Sequence, residues 1–215
     1  MKRPRILLAD DHRLIAEGLR SLLEPEFELI GIVEDGRALI ESAEKLNPDV
    51  IIADVTMPKL NGIEAVRQIK RKNQDIKVIF LTMHPDITYA VSAFEAGALG
   101  YVLKHSAPSE LNVAIREALK GNIYVTPLIA GASELLDGHK KASAERREAK
   151  SYLTQRQNEV LQLFAEGYSV KQIANQLDIS PRTVEYHKYQ MMKDLGIKTS
   201  ADLIRYAVKL GIVGE

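Results

Sequence analysis

The chain has 215 residues, 46% of them hydrophobic and 27% charged, with 29 basic side chains, 29 acidic ones and no cysteine. That length fits one large domain or two ordinary ones, and the composition excludes disorder, a disulfide scaffold, a thiolate zinc site and a cysteine nucleophile. No apolar run approaches the ~18 residues of a membrane span, and the one after the basic N-terminus is too short for a signal-peptide core, so a cytoplasmic protein with no membrane partner is expected.

Over the first 120 residues two patterns alternate. Short β-rich runs predict strands over 5–9, 28–33, 50–53, 77–81 and 100–103. Between and after them, helical spacing predicts helices over 12–23, 37–46, 62–72, 87–96 and 109–120. Strands that read as continuous apolar runs are buried on both faces, and parallel strands need crossovers of this length. A five-stranded parallel α/β sheet covered on both sides is expected. Residues 122–150 differ: a short helix is predicted after Pro127, and 138–150 read as a polar linker almost free of large apolar side chains. Residues 151–215 show only the 3.6-residue period. Thr154-x-x-Gln157 and Ser169-x-x-Gln172 are capping-box patterns, and Ser180-Pro181 is an N-cap followed by proline at the first helical position. Four helices follow, closed near Gly167, Leu177, Leu195 and before Gly211.

In an open parallel sheet, ligands bind beyond the carboxyl ends of the strands. The residues found there are Asp10 and Asp11 after the first strand, Asp54 after the third, Thr82 after the fourth and Lys104 after the fifth. Three carboxylates at close quarters call for a divalent cation, and oxygen-only ligands suit Mg²⁺. A carboxylate can also act as nucleophile and form an aspartyl-phosphate, with the ion and Lys104 neutralising charge on the transferring group. Each acid alone is more simply a loop residue or helix cap; together, at successive strand ends, they point to a site.

These residues carry a family resemblance. Leu8-Ala9-Asp10-Asp11-His12, the run Ile51-Ile52-Ala53-Asp54-Val55-Thr56-Met57-Pro58 with Asn61-Gly62, then Phe80-Leu81-Thr82, and Gly97-Ala98-x-Gly100-Tyr101-x-x-Lys104 resemble the receiver domain of bacterial two-component response regulators. The resemblance implies a flavodoxin-like fold over residues 1–121, with Asp54 accepting phosphate from a sensor histidine kinase. It implies that Asp10, Asp11, Asp54 and the Thr56 backbone carbonyl hold Mg²⁺. It further implies that Thr82 bonds a phosphoryl oxygen and that Tyr101 turns inward as the switch aromatic. Many receivers have proline after the lysine; this chain has Lys104-His105.

Two helices joined by Asp178-Ile179-Ser180 fit a helix-turn-helix, whose second helix enters the DNA major groove. On that helix Val184, Met191 and Leu195 form the inward face, leaving Arg182, Glu185, Lys188, Tyr189 and Lys193 outward. A generic helical bundle shows the same amphipathicity. Residues 153–213 also resemble the LuxR-type DNA-binding domain of the NarL/FixJ subfamily, through Leu153-Thr154-x-Arg156, Glu159-Val160-Leu161, Ala165-Glu166-Gly167-Tyr168-Ser169, Ile173-Ala174, Ile179-Ser180-x-x-Thr183-Val184-x-x-His187 and Leu195-Gly196. The resemblance implies a small all-α domain over 151–215 that binds promoter DNA. The expected contacts come from Arg182, Thr183, Glu185, Tyr186, His187, Lys188, Tyr189 and Lys193. Glu185 stands where the family usually has lysine; it either accepts from cytosine N4 or is a tolerated surface acid. Tyr186 and Tyr189 either touch thymine methyls or pack inward, and His187 either bonds a phosphate or sits at the helix junction. Leu203, Ala207 and Leu210 form a stripe on the last helix that is a core face or, as a dimer candidate, a protomer contact.

The expected whole is a transcription factor, not an enzyme, that dimerises when phosphorylated, with RNA polymerase as a candidate partner. The receiver resemblance implies that drawing Thr82 toward the phosphoryl group makes room for Tyr101. Two rivals are a magnesium-dependent phosphohydrolase, which needs an acid where Thr56 stands, and a receiver that works unphosphorylated as an interaction domain. Charge is hardly segregated. Residues 1–120 hold 16 basic and 18 acidic side chains, 121–150 hold 5 and 4, and 151–215 hold 8 and 7. A nearly neutral DNA-binding unit binds weakly alone and gains affinity from pairing.

Overall fold

The computed structural model describes residues 3–129, 153–209 and 212–213. Its sheet runs through β1 (Arg5–Ala9), β2 (Glu28–Val33), β3 (Val50–Ala53), β4 (Lys77–Thr82), β5 (Gly100–Leu103) and β6 (Tyr124–Val125), in the spatial order β2-β1-β3-β4-β5-β6. Every neighbouring pair is parallel. The crossovers are α1 (Arg13–Leu23), α2 (Gly36–Leu46), α3 (Gly62–Lys72), α4 (Ile87–Glu95) and α5 (Ala107–Leu119). Alternating strand residues feed two cores. Leu7, Ile51, Val78 and Phe80 pack with α2, α3 and α4, while Ile6, Leu8, Ile52 and Ile79 pack with α1 and α5. All four residues of β3 are buried, as a central strand covered on both faces requires.

The sheet has one strand more than expected. Tyr124 and Val125 lie beside Gly100 and Tyr101 in parallel register. Thr126 anchors the end of this strand: its Oγ1 accepts from the Leu103 amide at 3.1 Å and donates to Glu110 Oε2 at 2.6 Å. Val125 and Ile129 are buried in the α2–α4 core. Residues 122–129 therefore pack with the receiver fold and do not begin the linker, and residues 127–129 are turn, not helix. The remainder of the expected helix and the polar linker at 138–150 lie outside the described residues.

The second unit comprises α6 (Gln155–Ala165), α7 (Val170–Leu177), α8 (Pro181–Asp194) and α9 (Ser200–Lys209). Both expected capping boxes are formed, Thr154 with Gln157 and Ser169 with Gln172. Asp178 closes α7 in the left-handed region at φ 51°, and Ser180 caps α8 through the Thr183 amide. The core joins Val160, Leu161, Leu163, Ile173, Leu177, Val184, Met191, Leu203 and Ala207. Leu203 and Ala207 are thus buried in the core of their own unit, where a partner protomer cannot reach them. Leu210 lies outside the described residues. On the open side of α9, Ile204 is exposed.

The two units meet along α3 and α6, which run in opposite directions. Arg71 Nη1 donates to Gln155 Oε1 at 2.5 Å, Gln68 Nε2 donates to Glu159 Oε1 at 3.3 Å, and Asn158 Nδ2 donates to Glu64 Oε2 at 3.4 Å. Burial pushes the Glu64 carboxyl above its usual range, against the opposing pull of Gln68 and the nearby arginines.

Candidate phosphoacceptor site and DNA-facing helix

The strand order changes direction at β1: the chain passes from β1 to β2 on one side and returns to β3 on the other. That reversal opens a crevice at the carboxyl ends of β1 and β3. Asp10 and Asp11 follow β1, and Asp54 follows β3. Asp54 is held there by a close approach of the next helix. A Cβ on Gly62 would stand 1.9 Å from the Asp54 carbonyl oxygen, so only glycine lets α3 begin at this point. The Gly62 amide donates to the Val55 carbonyl at 2.9 Å, and Asn61 caps α3 through the Glu64 amide.

Lys104 crosses from the end of β5 to the acids. Its Nζ donates to Asp54 Oδ2 at 2.7 Å and forms an ion pair with Asp10 Oδ2 at 2.8 Å. Asp10 Oδ1 accepts from the His12 amide at 2.9 Å, and Asp54 Oδ1 from the Thr56 amide at 3.4 Å. Burial pushes the Asp54 carboxyl up, an effect that Lys104 offsets only in part. Burial alone would lower the Lys104 ammonium, but the Asp54 and Asp10 carboxylates outweigh it and hold the amine above its usual value. Asp10, Asp11, His12 and Asp54 each offer a ligand atom within 4.8 Å of the others. His12 is the unforeseen member. Its Nδ1 lies 3.0 Å from Asp11 Oδ1, and its place directly after the acid pair was the available signal. This carboxylate set suits a hard divalent cation, since three of its four side chains offer oxygen.

Thr82 is buried, and its Oγ1 accepts from the His84 amide at 3.2 Å. Tyr101 is turned fully inward, with its hydroxyl donating to the His84 carbonyl at 2.9 Å. Burial raises the Tyr101 hydroxyl far above its ordinary value. The His84 ring stacks on Tyr89 with centroids 4.4 Å apart, tying the loop after β4 to α4. The structure therefore brings Asp10, Asp11, Asp54 and Lys104 together and places Thr82 and Tyr101 on the adjoining strands. Among the described residues no peptide bond is cis, including that before His105.

On α8, Val184 and Met191 face the core while Arg182, Glu185, Tyr186, Tyr189 and Lys193 are exposed. Tyr186 and Tyr189 leave 59% and 65% of their surface open, so they do not pack inward. Thr183, His187 and Lys188 are half-buried. The Lys188 ammonium sits 4.9 Å from the centre of the Phe164 ring on α6. His187 is lowered from its usual range by burial and by Arg156, which favours the neutral ring.

Residues 6–116 match the family described as the response regulator receiver domain, and residues 151–207 match bacterial regulatory proteins of the luxR family. The transcriptional regulatory protein DegU of Brevibacillus brevis is 35% identical over 223 residues, covering 97% of this chain and 94% of that protein. The RcsB response regulator of Salmonella typhimurium superposes with a TM-score of 0.64 at 32% identity, covering 98% of this chain and 99% of the other. A structure of two RcsB dimers bound to two parallel DNAs gives a TM-score of 0.57 at 32% identity, covering 95% and 98%. No helix among the described residues is long and apolar enough to cross a membrane. The chain is a DNA-binding transcriptional response regulator and belongs to the NarL/FixJ family, in which a receiver domain is joined to a LuxR-type helix-turn-helix.

Proposed function

We propose that this regulator is switched by phosphorylation of Asp54 in the cytoplasm, with a sensor histidine kinase as donor. The observation that carries the reading is the buried contact between Lys104 Nζ and Asp54 Oδ2 at 2.7 Å, with Asp10 and Asp11 beside it. Asp54 supplies the nucleophilic oxygen, and Lys104 and Thr82 stand to bind oxygens of the incoming phosphoryl group. Asp10, Asp11, Asp54 and the Thr56 carbonyl would hold Mg²⁺, which when bound neutralises charge on that group. Tyr101 ties the site to the loop after β4 through His84. The receiver unit extends to residue 129, the linker follows it, and the helix-turn-helix unit begins near residue 153.

On DNA, α8 presents Arg182, Glu185, Tyr186, Tyr189 and Lys193 to the groove, with Thr183, His187 and Lys188 at its margin. Tyr186 and Tyr189 supply apolar contact, and Glu185 an acceptor for cytosine N4. Two protomers read two half-sites about one helical turn apart, ~10 bp. Phosphorylation favours the pair. The test is Mg²⁺-dependent labelling by acetyl phosphate followed by a DNA-binding titration. Labelling and tighter binding are expected in the native chain and neither in Asp54→Asn. Equal enhancement in the variant would overturn the assignment.

A further inference from the structure

The face of α6 that meets the receiver reaches past α3 to the phosphoacceptor loop itself. Gln162 is 1% exposed and is built into that loop from the other domain. Its Nε2 donates to the Met57 carbonyl at 2.9 Å, and its Oε1 accepts from the Asn61 amide at 2.7 Å. One turn on, Glu166 Oε1 accepts from the Lys59 amide at 3.1 Å and from Gln162 Nε2 at 2.7 Å. Lys59 adopts φ 64°, a left-handed backbone that is unfavourable for a residue other than glycine. It is held from both sides, by Glu166 at its amide and by Asp35 at its ammonium, 2.6 Å away. Residues 57–61 directly follow Thr56 and Asp54, so the helix-turn-helix unit grips the segment that forms one wall of the site.

This contact also brings the second unit up against the loops that flank Asp54. A cleft of about 400 Å³ is left between Asp11, His12 and Thr56 on the receiver and Glu166 and Val208 on the second unit. A helical element of two turns, ~10–12 Å wide and ~11 Å long, takes up roughly twice that volume or more. A protein donor must bring the whole element that bears its histidine. A small phosphoramidate or acyl phosphate brings only itself.

We propose that α6, latched by Gln162, selects the phosphoryl donor: docked, it admits small phosphoryl compounds and excludes a phosphohistidine carried on a protein element. The proposal rests on Asp54 being the acceptor. In every case an Asp54 oxygen lone pair forms the new O–P bond. From phosphohistidine the P–N bond breaks, and the imidazole nitrogen keeps the pair or takes a proton from water. From phosphoramidate the same P–N bond breaks and ammonia leaves with its proton drawn from water. The chemistry is matched and only the bulk differs. By linkage, whatever holds the helix-turn-helix unit away from α3, DNA included, speeds transfer from the bulky donor alone.

The test uses the full chain with phosphoramidate and with a synthetic helical peptide carrying one phosphohistidine. Gln162→Ala removes the three bonds to the loop, from the Asn61 amide and side chain and to the Met57 carbonyl, each worth a modest net amount, and is expected to raise the peptide's initial rate by about tenfold. The phosphoramidate rate stays within about twofold, because no group on the reacting atoms is altered. Asn158→Ala, which loosens the far end of the contact without touching the loop, is likewise expected to raise the peptide rate and to leave the phosphoramidate rate within about twofold. Equal change in both rates, or no change in the peptide rate with either variant, would overturn the proposal. If phosphoramidate labels the native chain no better than Asp54→Asn, the acceptor reading falls first and the proposal with it.

Discussion

The ammonium of Lys104 lies 2.7 Å from Asp54 Oδ2, with both side chains at least 96% shut off from solvent. Breaking a buried pair by removing one partner costs about 3–5 kcal/mol, because the remaining charge is left uncompensated. Here Lys104→Ala leaves Asp54 facing Asp10. We expect the variant to lose about 3 kcal/mol in urea unfolding with chelator present, and Mg²⁺ to restore a large part of it. A loss that Mg²⁺ does not reduce would show that the acids do not bind the ion.

Gly62 and Gly18 make a matched pair. A methyl at Gly62 would meet the Asp54 carbonyl, whereas Gly18, on the open face of α1, has nothing within 4 Å of its Cβ position. Gly62→Ala should therefore destabilise by at least ~1–3 kcal/mol and slow Asp54 labelling. Gly18→Ala should stabilise by roughly 0.5–1 kcal/mol and leave labelling unchanged. Thermal unfolding and acetyl phosphate labelling of the two variants check both.

Asp35 caps α2 and receives the Lys59 ammonium. Burial alone would raise its carboxyl, but the Ala38 amide, Lys59 and the Arg37 amide together hold it below the ordinary 3.8. A carboxyl depressed by folding contributes stability that is complete above that ordinary value and is lost as pH falls through the depressed one. Asp35→Asn keeps a capping oxygen but should flatten this part of the acid limb. Asp35→Ala should cost about 1–2 kcal/mol at neutral pH as well. Urea midpoints measured from pH 2 to 7 separate the two effects.

Arg182 and Lys188 share a helix but not a surroundings. Arg182 is exposed, whereas the Lys188 ammonium rests over Phe164. Each lost phosphate contact reduces the slope of log affinity against log salt by about 1. Arg182→Ala should show that full reduction. Lys188→Ala should show less of it and should lower the stability of the helix-turn-helix unit by ~0.5–1 kcal/mol through the lost ring contact. Binding titrations across a salt series, with unfolding of each variant, test the distinction.

The five long strands and the helices between them were legible because a buried parallel strand writes itself as an uninterrupted apolar run, as Val50–Ala53 does. β6 was not, since Tyr124 and Val125 are too few to show a period, and the segment around Pro127 reads as the start of a linker with a short helix. The acids were legible as strand-end residues, but the distances that join them come only from the fold. The face of α6 that docks on the receiver was hidden for another reason. Gln155, Asn158, Glu159, Gln162 and Glu166 have the spacing of a solvated face, and a polar contact between domains uses the same residue types as contact with water. The stripe at Leu203 and Ala207 was readable as apolar, yet periodicity cannot say whether such a stripe meets its own core or another molecule.

The rungs between α3 and α6 are single polar bonds, each worth a net ~0.5–1.5 kcal/mol. Adding or deleting one shifts the balance of closed and open chains by a factor of about 2–12. The signal level at which such a regulator responds is therefore adjustable in small steps, by substitutions that touch neither the acid cluster nor the DNA face. Duplicated copies of one gene can drift to different thresholds while keeping the same chemistry and the same operator.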